Sequence, residues 1–304
     1  MAGLSGLVEQ QDVVADEAVK EYKIVARNIG QIFHIKRAGE GRREFTAVEN
    51  MNLTVKKGEF VTIVGPSGCG KSTFLDILAG LSVPSSGEIF IDDRKVSGPA
   101  LDRGIVLQGY ALFPWRTVRQ NIEYGLEIKK IKRHERRAIS DRFINLVDLQ
   151  GFEDSFPYEL SGGMKQRVAI ARALAYDPQV LLMDEPFAAV DAQTREILQD
   201  ELLSIWEKTG KTIIFITHSI EEAVFLADRV AVMSANPGTI KSVVRVDLSR
   251  PRRMGNVRNS IDFSRITGAV WNLLHDHETA EKRQTRPAAV YSEAEKRNID
   301  SAAL

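Results

Sequence analysis

The chain has 304 residues, long enough for one large domain or two of ordinary size. Hydrophobic residues make up 43% and charged residues 27%, which permits a buried core and excludes global disorder. Lys+Arg 41 balances Asp+Glu 41, and this formal net charge of +0 offers no support for a nucleic acid or an anionic membrane as partner.

Residues 1–21 are polar, with acidic groups, no basic start and no sustained apolar run; they read as a loosely held leader and not as a secretory signal. Tyr22-Lys23-Ile24-Val25-Ala26 alternates like a strand, and the charged, glycine-bearing stretch 36–43 suits a hairpin loop. A further strand is predicted through Met51-Asn52-Leu53-Thr54-Val55, with Lys57-Gly58 as the turn. Phe60-Val61-Thr62-Ile63-Val64 is an apolar block of the buried parallel kind, running into a glycine loop and a helix over 72–81. The pattern turns helical over 118–149, where Lys129, Lys130, Lys132, Arg133, Arg136 and Arg137 form a cluster that reads as a solvated face. A loop then ends at Ser161, followed by a helix through Ala175, a strand at 180–184, a helix at 192–208 and a strand at 212–217. This alternation predicts an α/β core with parallel strands, interrupted by a helical insertion. Composition changes from Arg250 onward, and residues 276–304 read as a mobile charged tail. No apolar run approaches the ~18 residues needed to cross a bilayer. The single cysteine, Cys69, precludes an internal disulfide and points to a reducing, cytoplasmic setting.

Gly65-Pro66-Ser67-Gly68-Cys69-Gly70-Lys71-Ser72 fits the phosphate-loop pattern at every fixed position, between an apolar strand and an amphipathic helix. Glycines let main-chain N–H groups converge on phosphate oxygens, and the helix N-terminus adds positive potential. Lys71 would neutralise the β- and γ-phosphates, and Ser72 would offer its hydroxyl to Mg²⁺. Cys69 occupies a free position of the loop and reads as a small residue whose side chain does no chemistry. Val180-Leu181-Leu182-Met183-Asp184-Glu185 ends a buried strand in two carboxylates, at the edge where α/β sheets bind ligands. Asp184 would hold Mg²⁺, and Glu185 would orient or deprotonate an attacking water. Together these two segments predict hydrolysis of a nucleoside triphosphate.

Between them lies Leu160-Ser161-Gly162-Gly163-Met164-Lys165-Gln166-Arg167, a second glycine-opened helix start in a chain that already has one anion site. These three segments, in this order, closely resemble the ATP-binding cassette (ABC) ATPases over about residues 23–250. Met164 stands where that family's signature more often has Gln. The resemblance implies a P-loop cassette at 22–250, with a RecA-like core, an antiparallel β subdomain and an α-helical subdomain at about 109–160. A helical extension at 251–275 and the tail would follow. It implies ATP and Mg²⁺ as ligands, bound by 65–72 together with Thr73. It gives Phe33 the adenine-stacking role, although a lone Phe in a strand is more often core. Gln108 matches the glutamine that senses the metal and the water, Asp191 the dimer-seam aspartate, and His218 the switch histidine. It further implies a head-to-tail homodimer in which Ser161, Gly162 and Gly163 close the partner's ATP. Residues 109–118 would receive a helix of a membrane permease, or else form a contact between lobes.

The wordings Leu112-Phe113-Pro114-Trp115-Arg116-Thr117-Val118, Asp191-Ala192-Gln193-Thr194-Arg195 and Met233-Ser234-Ala235-Asn236-Pro237-Gly238 resemble the nitrate/sulfonate/taurine importer branch. In that branch an external binding protein delivers the solute, and the ATPase lies against the cytoplasmic face of the membrane. Rival readings are an importer ATPase for another solute, a soluble ABC protein acting on DNA or ribosomes, and a P-loop kinase. The short helical insertion argues against the soluble protein and the signature segment against the kinase.

Overall fold

A computed structural model describes residues 8–9, 21–36, 42–252 and 257–284. In chain order the first elements are β1 (Val8–Glu9), β2 (Tyr22–Lys36), β3 (Arg42–Lys56), β4 (Phe60–Val64) and α1 (Lys71–Ala79). Then follow β5 (Ser86–Ile91), β6 (Arg94–Lys95), β7 (Arg103–Val106), α2 (Val118–Ile128), α3 (Arg133–Leu146) and α4 (Gly162–Ala175). The last are β8 (Val180–Asp184), α5 (Ala192–Thr209), β9 (Thr212–Ile216), α6 (Ile220–Leu226), β10 (Arg229–Ser234), β11 (Thr239–Arg245) and α7 (Ile261–Gln284). No helix among the described residues is long and apolar enough to cross a membrane.

Two sheets result. The larger runs β1-β11-β10-β4-β9-β8-β7, with β10, β4, β9, β8 and β7 parallel; the smaller runs β3-β2-β5-β6 and is antiparallel. Alternation along the strands of the larger sheet divides the core. Val61 and Ile63 join Phe74, Leu75, Ile77 and Leu78 of α1 and Ile24, Ile29, Met51 and Leu53 of the smaller sheet in one apolar cluster. Phe60 and Val64 face the other way, into a cluster with Val168 and Leu174 of α4, Leu202 of α5 and Phe225 of α6. The helix after the glycine loop is therefore clamped between two sheets. Each of its fully buried apolar side chains contributes roughly 1.5–3 kcal/mol, which holds the loop at its N-terminus rigid.

Several boundaries differ from the sequence reading. The helix of 72–81 stops at Ala79, because Gly80 takes φ 75 and its N–H bonds back to Ile77. Helical 118–149 is two helices: α2 opens with a Thr117–Gln120 capping box, and the chain turns at Lys130, φ 57. In the leader, Val8 and Glu9 pair with Val244 and Val243 of β11; the rest of 1–20 lies outside the described residues. The hairpin loop is flanked by the pair Lys36↔Arg42, and residues 37–41 fall outside the description. The helix α7 continues past 276 to Gln284; residues 285–304 are not described. Strands β5 to β7, β10 and β11 and helix α6 were not anticipated.

Candidate functional site

Four parallel strands end level with one another. Ile63 pairs with Ile216, Ile216 with Asp184, and Met183 with Val106. The phosphate loop, His218, Glu185 and Gln108 therefore all emerge along one sheet edge, although up to about 150 residues separate them in sequence. Gly68 and Gly70 adopt φ 76 and 92, main-chain values open to glycine but costly for other residues. Lys71 is buried and donates to the carbonyls of Gly65 at 2.8 Å and Pro66 at 3.0 Å, so its ammonium is folded back into the loop. Ser72 and Thr73 open α1, and Cys69 is buried beneath the loop. Burial pushes the Cys69 thiol up despite Lys71 nearby, which suits an inert packing role.

Asp184 is half-buried, and burial raises its carboxyl; the Ser72 hydroxyl hydrogen-bonds to it and offsets part of that rise, while Glu185 adds to it. Asp184 Oδ1 is buried and meets no hydrogen-bond donor among the described residues. Glu185 adopts φ 42, its N–H bonded to the Ile216 carbonyl at 3.0 Å, and its Oε2 stands 3.3 Å from Nδ1 of the exposed His218. A left-handed glutamate is strained by about 1–3 kcal/mol, and such strain persists only where surrounding contacts enforce it. Gln108 is exposed just beyond β7. The three residues after it, Gly109, Tyr110 and Ala111, all take positive φ (80, 69 and 46), and the Arg172 guanidinium holds the Tyr110 and Ala111 carbonyls at 3.0 and 2.6 Å.

Ser161 caps α4 by accepting from the Met164 N–H at 3.3 Å, and Asp191 caps α5 by accepting from Thr194 at 2.9 Å. That bond holds the exposed Asp191 carboxyl below the usual range. The two caps are neighbours: a β-carbon on Gly162 would lie 3.8 Å from Val190, and one on Gly163 2.7 Å from Thr194. The close contacts of Gly162 and Gly163 are with Tyr110, Val190, Ala189 and Thr194, none of them in the phosphate loop.

The family described as ABC transporter matches residues 48–188. An uncharacterized ABC transporter ATP-binding protein of Methanocaldococcus jannaschii is 51% identical over 269 residues, 88% of this chain and 97% of the relative. The chain belongs to the ABC transporter ATP-binding family. It is an ATP-hydrolysing transporter subunit on a P-loop α/β fold. A nitrate import ATP-binding protein of Synechocystis sp. is 45% identical over 257 residues, 83% of this chain and 97% of that one. An aliphatic sulfonates import ATP-binding protein of Bacillus anthracis is 50% identical over 208 residues, 67% and 80% of the two chains. Among solved structures, a dimeric post-hydrolysis ATP-binding cassette bound to ADP and Pi aligns at TM-score 0.64 and 33% identity, over 74% of this chain and 100% of that one.

In this ATPase Phe33 is 41% exposed, not core, and pairs across the strands with Phe45, which is 44% exposed. Sequence reasoning missed Phe45 because the pairing is set by the register of β2 on β3. It also missed what lies behind the loop: Gly238 bridges to Val48, and its N–H bonds to Ala47 at 3.0 Å. Gly238 carried a signal, as part of the Asn236-Pro237-Gly238 wording, but no role. A cavity of about 1010 Å³ opens beside the loop, between Gly65–Ser67 with His218 and Leu273–His275 of α7. In the segment 109–118, Phe113 packs on Tyr124 at 4.6 Å, while Trp115 is 71% exposed. In the basic cluster Lys129, Lys130, Lys132, Arg133 and Arg137 are exposed, and Arg136 stands 3.7 Å from Glu123.

Proposed function

We propose that this ATPase powers an importer of small oxyanions such as nitrate, sulfonates or taurine. It works as a head-to-tail homodimer beneath two permease subunits at the cytoplasmic face, and an external binding protein delivers the solute. Two relatives named for nitrate and aliphatic sulfonate import support the solute class. The exposed Trp115 beside Phe113 supports a permease-facing surface at 109–118.

The observation that carries the dimer is the separation of the two glycine-opened helix starts. Gly162 and Gly163 have Tyr110, Val190 and Thr194 as close neighbours, and no residue of their own chain's phosphate loop. A second copy, presenting its Ser161–Gly163 and Asp191, completes the ATP site. ATP binds both chains through its γ-phosphate, whereas ADP alone, once phosphate has left, lacks that group, so hydrolysis followed by phosphate release shifts the dimer from closed to open.

Within the site, the Lys71 ammonium turns from the Gly65 and Pro66 carbonyls to phosphate oxygens, and the amides of 68–72 cradle the same anion. Glu185 takes the proton of the attacking water. His218, in contact with Glu185, bears on the γ-phosphate, and Phe33 stacks on adenine. Ser72, Asp184 and Gln108 would hold Mg²⁺; the unpartnered Asp184 Oδ1 beside the Ser72 hydroxyl is the oxygen set a hard cation takes. Bound there, the ion would neutralise phosphate charge.

The test is growth of a Lys71→Ala strain on nitrate as sole nitrogen source and on taurine or an alkanesulfonate as sole sulfur source, with ammonium and sulfate as controls. Selective loss on one source names the solute. Unimpaired growth on all of them, with no redundant uptake system present, removes the oxyanion assignment.

A further inference from the structure

Glu222 lies in α6 with 4% of its surface exposed. Gln199 Nε2 of α5 donates to its Oε1 at 2.7 Å, and the Thr217 hydroxyl donates to its Oε2. The Thr217 oxygen also accepts from the Ser219 N–H at 3.0 Å, and the Ser219 hydroxyl accepts from the Glu222 N–H at 3.3 Å. The carboxylate thus holds Thr217, the residue before His218, and through the Thr217 hydroxyl oxygen the Ser219 N–H after it; the His218 ring stands 3.3 Å from Glu185. On the α5 side the carboxylate is anchored by Gln199, which is itself buried.

Packing gives no reason for an acid at this position. Ala223, Val224, Phe225 and Leu226 around it are all buried and apolar. Desolvation pushes the Glu222 carboxyl up, a burden that an apolar residue of similar volume would not carry. What the acid supplies is reach: its two oxygens receive donors from a loop on one side and a helix on the other.

We propose that Glu222 is a positioning residue that sets the His218 loop against Glu185, anchoring that loop to α5 through Gln199. It touches neither nucleotide nor water. The inference rests on the reading of Glu185 and His218 as the hydrolytic pair, and it adds that one buried carboxylate fastens the His218 loop to α5.

Steady-state hydrolysis by the purified full chain tests this, comparing Glu222→Gln, Thr217→Val, His218→Ala and the double variant Glu222→Gln/His218→Ala, with thermal unfolding as the fold control. Each of the first two is expected to lower kcat about tenfold, the scale of one hydrogen bond to a charged group, with KM for ATP within about twofold of wild type. The double variant is expected to be no slower than His218→Ala alone, because Glu222 acts only through that loop. Losses that multiply in the double variant, or an unchanged kcat in Glu222→Gln, would overturn the proposal. If Glu222→Gln fails to fold, Thr217→Val/His218→Ala serves as the double variant. The His218 imidazole proton resonance, assigned by its loss in His218→Ala, is expected to move in both Glu222→Gln and Thr217→Val and needs no turnover. A wild-type chain without hydrolysis would therefore sink the reading of the site, while a stationary His218 resonance would sink the positioning role alone.

Discussion

Replacing Gly238 by alanine is expected to weaken ATP binding, although Gly238 is no part of the nucleotide site. Its amide donates to the Ala47 carbonyl at 3.0 Å, and its carbonyl accepts from Glu49 at 2.9 Å, which pins the β10–β11 loop behind the phosphate loop. A β-carbon there would stand 1.9 Å from the Cys69 carbonyl oxygen and 3.0 Å from that of Ala47. Both obstacles are main chain, so no rotamer change relieves them, and the Cys69 peptide has to retreat by roughly 1 Å. Cys69 has no free space to enter: its sulfur lies against Gly65, where a β-carbon would meet it at 2.7 Å, and the residue is 1% exposed. The displacement therefore passes along the loop to Gly65 and Lys71. Misplacement on this scale costs about ten- to a hundredfold in affinity, or roughly 1.4–2.8 kcal/mol. Calorimetric titration with ATP, beside urea unfolding, measures both parts. Gly98→Ala, where a β-carbon meets nothing within 4 Å, serves as the neutral control. ATP affinity within about twofold of wild type, with an unchanged unfolding midpoint, would refute the account of Gly238 as the loop's rear support.

Glu185→Gln is expected to slow hydrolysis by about a hundredfold or more and to trap an ATP-bound dimer on a sizing column; a monomer that phosphorylates a metabolite would point to a kinase instead. Phe33→Ala is expected to weaken ATP about tenfold while leaving inorganic triphosphate binding unchanged, and Phe33→Tyr restores it. Equal losses for both ligands in a titration would remove the stacking role. Arg252 is 1% exposed and donates to the carbonyls of Val224, Phe225, Ala227, Val246 and Leu248; burial lowers its pKa to about 10. Arg252→Met strips those oxygens of a shared donor and is expected to cost about 3 kcal/mol in urea unfolding; a loss below about 0.5 kcal/mol would show that the helix end is satisfied without it.

Legibility in the sequence followed locality. The phosphate loop could be read because its strand, glycines, Lys71 and helix are consecutive, so spacing alone carries the geometry. Asp184 and Glu185 could be read for the same reason, as the end of an uninterrupted apolar strand. The short strands β5 and β6 escaped, since six and two residues that expose much of their surface carry little periodicity. The turn at Lys130 that splits 118–149 escaped too, because a lysine at φ 57 leaves no glycine to announce it.

By itself the sequence determined the nucleotide chemistry: a glycine loop with Lys71 and Ser72, a carboxylate pair, and a second helix start that one site has no use for. Only the tertiary structure decided how these are held. The level ends of β4, β9, β8 and β7 bring His218 within 3.3 Å of Glu185. The backing of Cys69 by Gly238 and the span of Glu222 from Thr217 to Gln199 join segments whose spacing carries no signal. Such contacts depend on sheet register and helix packing. Those are set by the whole buried core at once, and no local run of residues encodes them.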